Sequence, residues 1–473
     1  MTAILQASRS EFQIPQVAGQ TPNLGLTVNG ITDFPSANIN ETQRQINNIS
    51  ILAWQKRLED IDFQIAGFTR YSTLYFSPGN PTGDLLFNGI AQTAYRQNWA
   101  SGVQGDGSWR AAPDHTIRSG FYIQRERSPF NTTSNVLAVD QNDMQTSDQP
   151  ITIFDSGSKT GWIYSYYLQD EWKIIPTVTV NFGARYDQFA EYLSERQLSP
   201  RANVVWQPSD VTTFHAGYSR YFSPSPFELI AAPTLALFAN TTAAPAVALD
   251  STLKAERSHY FDVGATQIIL PGLKAGIDAY YKIASDLIDE GQFGAPVFFT
   301  PFNYEKGWVK GVELTLSYDI ENWSFYGNFS ASQELAKNII SGQFNFSPED
   351  LAFIATDAIH TDHDQTYTSS AGIKYRVPTW NTLFSVDLTA ASGLRTTRLG
   401  GPPNGGALPG YQQVNFSIVQ PIDRAPDKGL ELRFDIINLL DEVYQIRSGT
   451  GLGVFAPQFG PRRTILAGLT QRF

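Results

Sequence analysis

The chain has 473 residues, 34 basic against 45 acidic side chains, a formal net charge of −11 and no cysteine. Disulfides, thiolate catalysis, Cys-ligated zinc and iron–sulfur clusters are thereby excluded, and so acidic a chain lacks the basic surface that general nucleic-acid binding requires. Charged residues are only 17% and aromatics reach 13%; the length suits roughly three soluble domains or one closed β-barrel.

The opening MTAILQASRS has no basic start leading into an apolar core, so no secretory signal is visible. Residues 1–42 carry Pro15, Pro22 and Pro35 with little periodicity and are expected to be irregular, with at most one strand, near 24–31. Segments near 43–56, 60–73, 84–98 and 103–111 read as strands. Farther along, alternation with period two dominates. Val178, Val180, Phe182, Ala184 and Tyr186 alternate with Thr179, Asn181, Gly183, Arg185 and Asp187. Ala275, Ile277, Ala279 and Tyr281 alternate with Lys274, Gly276, Asp278 and Lys282. Val312, Leu314 and Leu316 alternate in the same way with Glu313 and Thr315, and Leu432 and Phe434 with Arg433 and Asp435. The longest uncharged stretch, 229–249, holds Pro233, Asn240, Thr241, Thr242 and Pro245 and reads as a loop, not a membrane helix.

Alternation alone serves a β-sandwich as well as a membrane barrel, but three further features favour the barrel. Segments 162–173, 274–283 and 310–319 are about ten residues long, as tilted membrane strands require. Long links are expected near 129–157, 188–198, 222–256, 288–303, 337–364, 392–410 and 443–461. They alternate with short ones near 174–177, 208–210, 271–272, 319–322, 378–381 and 421–429, which puts turns at one rim and loops at the other. Aromatics gather at strand ends, among them Trp162, Tyr164, Tyr166 and Trp172, and Tyr218, Tyr221 and Phe222, as interfacial girdles do. The expected fold is all-β, a transmembrane antiparallel barrel with about eighteen strands in this chain.

The densest group of metal-ligating residues is His360-Thr361-Asp362-His363-Asp364. On an extended chain His360, Asp362 and Asp364 would share one side, yet a metal site needs at least three converging ligands and a supporting shell. The segment is read instead as a polar descent from a loop into the strand 366–377, and no cofactor or resident metal is expected. Gly449-Thr450-Gly451-Leu452-Gly453 lacks the following helix and the Lys-Ser/Thr of a phosphate loop. His115, His215 and His259 sit inside strand patterns with no nucleophile elbow, and Asp170 and Glu171 face opposite sides of a strand, so no enzyme is read. The polar faces offer Arg185, Asp187, Glu313, Lys374, Arg433 and Asp435 as candidate lumen-facing groups that hydrate the interior.

A series of motifs resembles the carboxy-terminal barrel of a TonB-dependent outer-membrane receptor. It comprises Tyr167-Leu168-Gln169-Asp170-Glu171-Trp172, Asn181 to Asp187, Ser199-Pro200-Arg201, Gly311-Val312-Glu313-Leu314, Asp362-His363-Asp364-Gln365, Asn438-Leu439-Leu440-Asp441-Glu442-Val443-Tyr444 and the closing Gly468 to Phe473. The resemblance runs over 43–473, taken as one barrel domain. It implies a barrel of 22 strands, a preceding plug and coupling box, and a terminal aromatic, here Phe473, that the outer-membrane assembly machinery recognises. Gln471 departs from the apolar residue common two places earlier. No plug, coupling box or signal peptide is recognisable before residue 43, so the chain is expected to be an N-terminally truncated member lacking three or four strands. The implied function is energy-coupled uptake of a scarce solute of siderophore, cobalamin or glycan type, by a monomer embedded in outer-membrane lipid and driven by a TonB-type coupling protein. The rival expectations are a plugless passive pore and a non-enzymatic all-β ligand-binding protein. Loops near 129–157, 222–256 and 337–364 are expected to form the ligand-facing rim.

Overall fold

Period-two sequence becomes strand after strand, each paired with the next. The computed structural model describes residues 1–14, 19–229, 234–293, 299–422, 429–453 and 457–471. The wall begins with β1 (Thr2–Gln13), β2 (Thr42–Arg57), β3 (Ile61–Ser77), β4 (Ile90–Ala112), β5 (His115–Val136) and β6 (Ile151–Ile175). It continues through β7 (Val178–Ala190), β8 (Ser194–Ser209), β9 (Thr212–Ser223), β10 (Glu256–Leu270), β11 (Leu273–Gln292) and β12 (Phe299–Ile320). The last six are β13 (Trp323–Ile339), β14 (Tyr367–Arg376), β15 (Leu383–Ala391), β16 (Tyr411–Pro421), β17 (Leu430–Ile437) and β18 (Thr464–Gln471). The sheet has nineteen hydrogen-bonded segments. One of these is the two-residue Ile359–His360, which caps the upper end of β13 on the side that β14 takes lower down, so the staves number eighteen. All neighbours are antiparallel and consecutive in sequence. The strand found within residues 1–42 is β1, joined to β2 over twelve paired positions. Among the described residues the ladder runs no further than β1 and β18, and every residue of both strands is exposed.

Short turns collect at one rim. Pro271-Gly272 joins β10 to β11, with Gly272 at φ +84°, and a side chain at Gly272 would strike the backbone oxygen of Asp319. The register shifts that accompany these hairpins sit beside the turns, at Arg110/Ala112, Lys173/Ile175, Trp206/Ser209 and Ile268/Leu270. The other rim carries the long links, with exceptions to the expected pattern. The link expected at 188–198 is the tight turn 191–193, closed by the Glu191 amide on the Leu193 carbonyl. The link expected at 129–157 is mostly strand, since β5 and β6 stay paired up to Val136 and Ile151. Nor are 84–98 and 103–111 two strands. They are one 23-residue strand, β4, preceded by helix α1 (Pro81–Asn88). Asn80 caps α1 by accepting from the Thr82 and Gly83 amides, Pro81 opens it, and Gly89 ends it in the left-handed region. The segment 24–31 makes only the bridge Val28–Ile31 around Asn29-Gly30.

Strands longer than the expected ten residues follow from the same pairing. Trp99 and Trp109 lie ten positions apart on β4, as do Trp162 and Trp172 on β6, all exposed on the outer face. Ten residues rise about 33 Å along a strand, which at the usual tilt matches an apolar band about 25 Å tall. What extends above the upper ring is rim. Between the rings the outer face is apolar and exposed, with Leu168, Phe182, Leu198, Val263, Leu314 and Ile373, as a lipid-facing surface must be. The inner face is polar. Tyr326, for example, lies across Gly372 and donates a 2.8 Å hydrogen bond to Asp387, and a Cβ at Gly372 would collide with that ring.

Such a wall has no dry core of its own, so the buried apolar clusters sit at the long-loop rim. Helix α2 (Pro348–Thr356) buries Ile354 against Leu287, Phe302, Tyr304 and Ile339. Leu85 and Leu86 of α1 pack on Val28, Ala91 and Leu137. Asp84 is buried in this second layer beside Glu41, each 1% exposed. Burial, and next the Glu41 charge, push the Asp84 carboxyl up to about 9.

Two outcomes follow. In vesicle-embedded protein, Leu314→Arg on the lipid face should cost about 2–4 kcal/mol in a urea titration, whereas Glu313→Gln on the inner face should be near neutral. Because the folded Asp84 carboxyl binds its proton more tightly than an ordinary aspartate, docking of α1 is fully stabilised below about pH 4 and loses that contribution as the pH passes about 9. Proteolysis of the 78–89 link should therefore accelerate with rising pH, and Asp84→Asn should flatten the profile.

Candidate functional site

By register, the six residues singled out from the sequence, Arg185, Asp187, Glu313, Lys374, Arg433 and Asp435, lie on the strand faces opposite Phe182, Leu314, Ile373 and Phe434, and they are not gathered in one place. Arg185 and Asp187 lie two positions apart on β7 and pair at 2.8 Å. Arg433 and Asp435 do the same on β17 at 2.7 Å. Glu313 on β12 and Lys374 on β14 are exposed and stand apart from both pairs. Phe473 lies outside the described residues.

Of the six, Arg185 and Asp187 line a cavity formed by described residues. It has a volume of about 500 Å³ and lies where β5 to β9 approach the long-loop rim. That size is in the range of small-molecule sites. Tyr122 comes from β5, Ser165 from β6, Arg201 from β8, and Arg220 and Tyr221 from β9. The β6–β7 register sets Ser165 opposite Asp187, and the Ser165 hydroxyl donates to that carboxylate at 2.6 Å. Asp187 is thus satisfied by Arg185 and Ser165 together. Arg201 and Arg220 have no carboxylate partner among the described residues, and the Nε of Arg220 is buried with no hydrogen-bond acceptor. Arg185 and Arg201 on the inner face beside one neutralised carboxylate make the recess cationic, and their N–H forks suit planar oxyanions. Sequence reading passed over Arg201 and Arg220. The signal for Arg201 was its place two residues after Ser199 on the polar face of β8. Alternation places Arg220, near the upper end of β9, on the face opposite Ser219 and Tyr221, so it gave no sign that Arg220 lines the recess.

A second polar cluster has the opposite sign. Asp289 near the end of β11, Glu334 on β13, Asp362 and His363 in the 340–366 link and Arg447 converge beneath the loops. His363 Nδ1 lies 2.9 Å from Asp362 Oδ1 and 3.5 Å from Asp289 Oδ1, while its Nε2 is 3.6 Å from Glu334. Burial lowers the His363 pKa, but the hydrogen bonds to Asp362 and Glu334 and the Asp289 charge outweigh it, raising it to about 11. Burial raises Asp289 to about 7 against the His363 charge. Asp364 is held separately, by Arg395 at 2.6 Å and His360 at 2.7 Å. His360, Asp362 and Asp364 therefore do not share a side. The chain turns at 361–364, with the Asp364 amide on the Thr361 carbonyl, and a turn has no period-two faces. The Arg395–Asp364 bond and the Asn404 side chain, which bonds the His360 carbonyl and the Leu452 amide, tie three long links into one layer.

A family model described as TonB dependent receptor-like, beta-barrel matches residues 9–439. No curated protein matches the sequence. Among solved structures, the ferric yersiniabactin uptake receptor FyuA of Yersinia pestis aligns with a TM-score of 0.68 at 13% identity, over 100% of this chain and 68% of that one. The FrpB iron transporter of Neisseria meningitidis, F3-3 variant, gives 0.66 at 14% identity, over 100% of this chain and 69% of that one. The ferric citrate transporter FecA in its unliganded form gives 0.62 at 14% identity, over 92% of this chain and 62% of that one. The chain thus spans 62% to 69% of the length of these three proteins, and likeness at such identity establishes the fold.

Removing the Arg395 side chain would leave Asp364, 3% exposed, as a buried charge with only His360 and the Glu334 amide beside it. Arg395→Leu should loosen the loop layer by about 3–5 kcal/mol, read as faster proteolysis within 392–410 while the wall keeps its heat-resistant mobility in detergent gels.

Proposed function

The chain belongs to the TonB-dependent receptor β-barrel family, and from that premise we propose that it forms the wall and ligand-facing rim of a receptor for energy-coupled uptake of a scarce, anionic solute of the metal-chelate class. Members of this family are outer-membrane proteins that bind small solutes and couple to TonB. The observation that carries the reading is the cavity at the rim, lined by Tyr122, Tyr221, Arg201 and Arg220, where neither arginine has a carboxylate partner among the described residues. A carboxylate- or catecholate-bearing chelate presents the oxyanions that such guanidinium forks accept. The names of similar structures, a ferric citrate transporter, a ferric yersiniabactin receptor and a siderophore receptor from Acinetobacter baumannii, are in keeping with that class.

In this reading Arg185 and Asp187 set the floor of the binding recess. Glu313, Lys374, Arg433 and Asp435 keep the lumen hydrated along the path below. The role is transport, with no catalytic step. The solute would pass as a plug rearranges under force from a TonB-type protein, and the barrel would be placed in lipid by the assembly machinery reading Phe473. Further strands beside β1 and β18 would complete the wall. Both are paired on one side and exposed along their length, and an open ladder edge is not stable in hydrocarbon.

Calorimetry of the full chain in detergent with ferric citrate as probe tests the reading. Saturable binding at one site per chain is expected. Arg201→Gln and Arg220→Gln should each weaken it roughly 10- to 100-fold, the worth of a charge-assisted hydrogen bond, and Arg376→Gln at a short turn should not. Absent or unsaturable binding, together with ohmic conductance in a planar bilayer, would replace the receptor with a passive pore.

A further inference from the structure

We propose that Asp289, Asp362 and His363 form a binding site for a divalent transition ion of the zinc type, which clamps the loop layer to the end of β11. Each residue offers one ligand atom, and the three atoms lie within 4.8 Å of one another. Bonds of about 2.1 Å in a tetrahedral set need ligand separations near 3.5 Å, a contraction that side-chain rotation can supply. This inference stands apart from the anion recess, which lies across β5 to β9 and shares no residue with it.

The arrangement of partners is what distinguishes the cluster from an ordinary acidic patch. Asp289 is 5% exposed, and its Oδ1 accepts the Glu290 amide at 2.8 Å, while Oδ2 is buried without any hydrogen-bond partner. A buried carboxylate oxygen left unsatisfied is costly unless something positive occupies the space it faces. The hydroxyl of Tyr304, fully buried and within the field of Asp289, Asp362 and Glu334, is likewise unpartnered. The cluster and its surroundings thus leave two buried oxygens unsatisfied, which a cation with a bound water would complete.

The remaining contacts form a supporting shell. Arg447 takes Oδ2 of Asp362 at 3.2 Å and leaves Oδ1 toward His363. Asp289 Oδ1, which accepts the Glu290 amide, lies 3.5 Å from His363 Nδ1, and Oδ2 is left with no partner of its own. Glu334 stands 3.6 Å from His363 Nε2, placed to accept its N–H and so direct Nδ1 at the ion. On loading, Nδ1 gives its proton to solvent and donates its lone pair to the metal, and both aspartates bind as carboxylates. One imidazole nitrogen and two carboxylate oxygens, with the fourth position open to water, suit zinc. Calcium, which needs six to eight oxygen ligands, is poorly served. Asp289 lies above Ile283, the last exposed apolar residue of β11, and Asp362 and His363 belong to the 340–366 link. The ion would therefore join wall to loops above the membrane.

The test uses the full chain in detergent, first stripped with a chelator. Zinc alone, followed by calorimetry, should bind at one ion per chain. Cobalt substituted for zinc should give the intense visible absorption of a four-coordinate site. Asp289→Asn and His363→Gln should each weaken zinc binding at least tenfold. His363 is exposed, so the second variant tests the site even if the first fails to fold. Zinc should slow proteolysis of the 340–366 link in the parent protein and not in His363→Gln, and millimolar calcium should leave both unchanged. Zinc binding that is absent, or equal in the parent and His363→Gln, would overturn the proposal, as would calcium binding more tightly than zinc. The anion recess would be untouched by any of these results, since ferric citrate binding is measured on Arg201 and Arg220.

Discussion

A backbone amide in hydrocarbon finds no water, so inside a membrane every N–H and C=O must pair with a neighbouring strand. The rest of this structure depends on that requirement. Consecutive strands answer it most simply by pairing with each other through tight hairpins, and the wall is accordingly a meander of antiparallel neighbours. Pairing continues above the apolar band because nothing stops it there, which is why β4 and β6 run to 23 and 25 residues. The same requirement singles out β1 and β18, whose outer edges lie beyond the described ladder.

Once the wall is fixed, charge and burial divide by height. Between the tryptophan rings the outside is apolar and the inside polar, with charges satisfied close at hand. Arg185 with Asp187 and Arg433 with Asp435 are neighbours on their own strands, and His215 reaches Asp278 on β11 at 2.9 Å. Such pairs in a wet lumen contribute little to stability. Dry packing is confined to the long-loop rim, where α1 and α2 bury their leucines and isoleucine.

Local charge balance then separates scaffold from site. Two places at the rim depart from it, in opposite directions. On β7 to β9 guanidinium groups outnumber carboxylates, and near the ends of β11 and β13 carboxylates dominate around one imidazole. Each also holds a buried polar atom without a partner, Nε of Arg220 in one and Oδ2 of Asp289 in the other. Unsatisfied groups of opposite sign at separate points of one rim imply two different occupants, an anion and a cation, each recognised by what the protein itself leaves uncompleted.

Most strands and their faces were legible in the sequence because period two is a local property, while the count of eighteen agrees only because reading β4 as two strands offset the missed β1. Whether Leu314 faces lipid and Glu313 water follows from their being adjacent on a pleated strand. Boundaries were less legible where local chemistry competed: Asn80-Pro81 and Gly89 frame a helix that alternation counts as strand, and 188–198 looks like a loop although pairing closes it in three residues. The sites were mostly illegible. The Gln145 side chain accepts from the amide of Thr27 across 118 residues, and Thr242 bonds the Gly89 carbonyl across 153. Long links without periodicity carry no record of such meetings. The sequence by itself therefore determined the barrel, through alternation joined to strand length, short links alternating with long ones, and aromatics at strand ends. Only the tertiary structure decided that Asp289 meets His363 and that Arg201 and Arg220 share a recess, because those contacts depend on barrel register and on loops folding over one another, which no local pattern encodes.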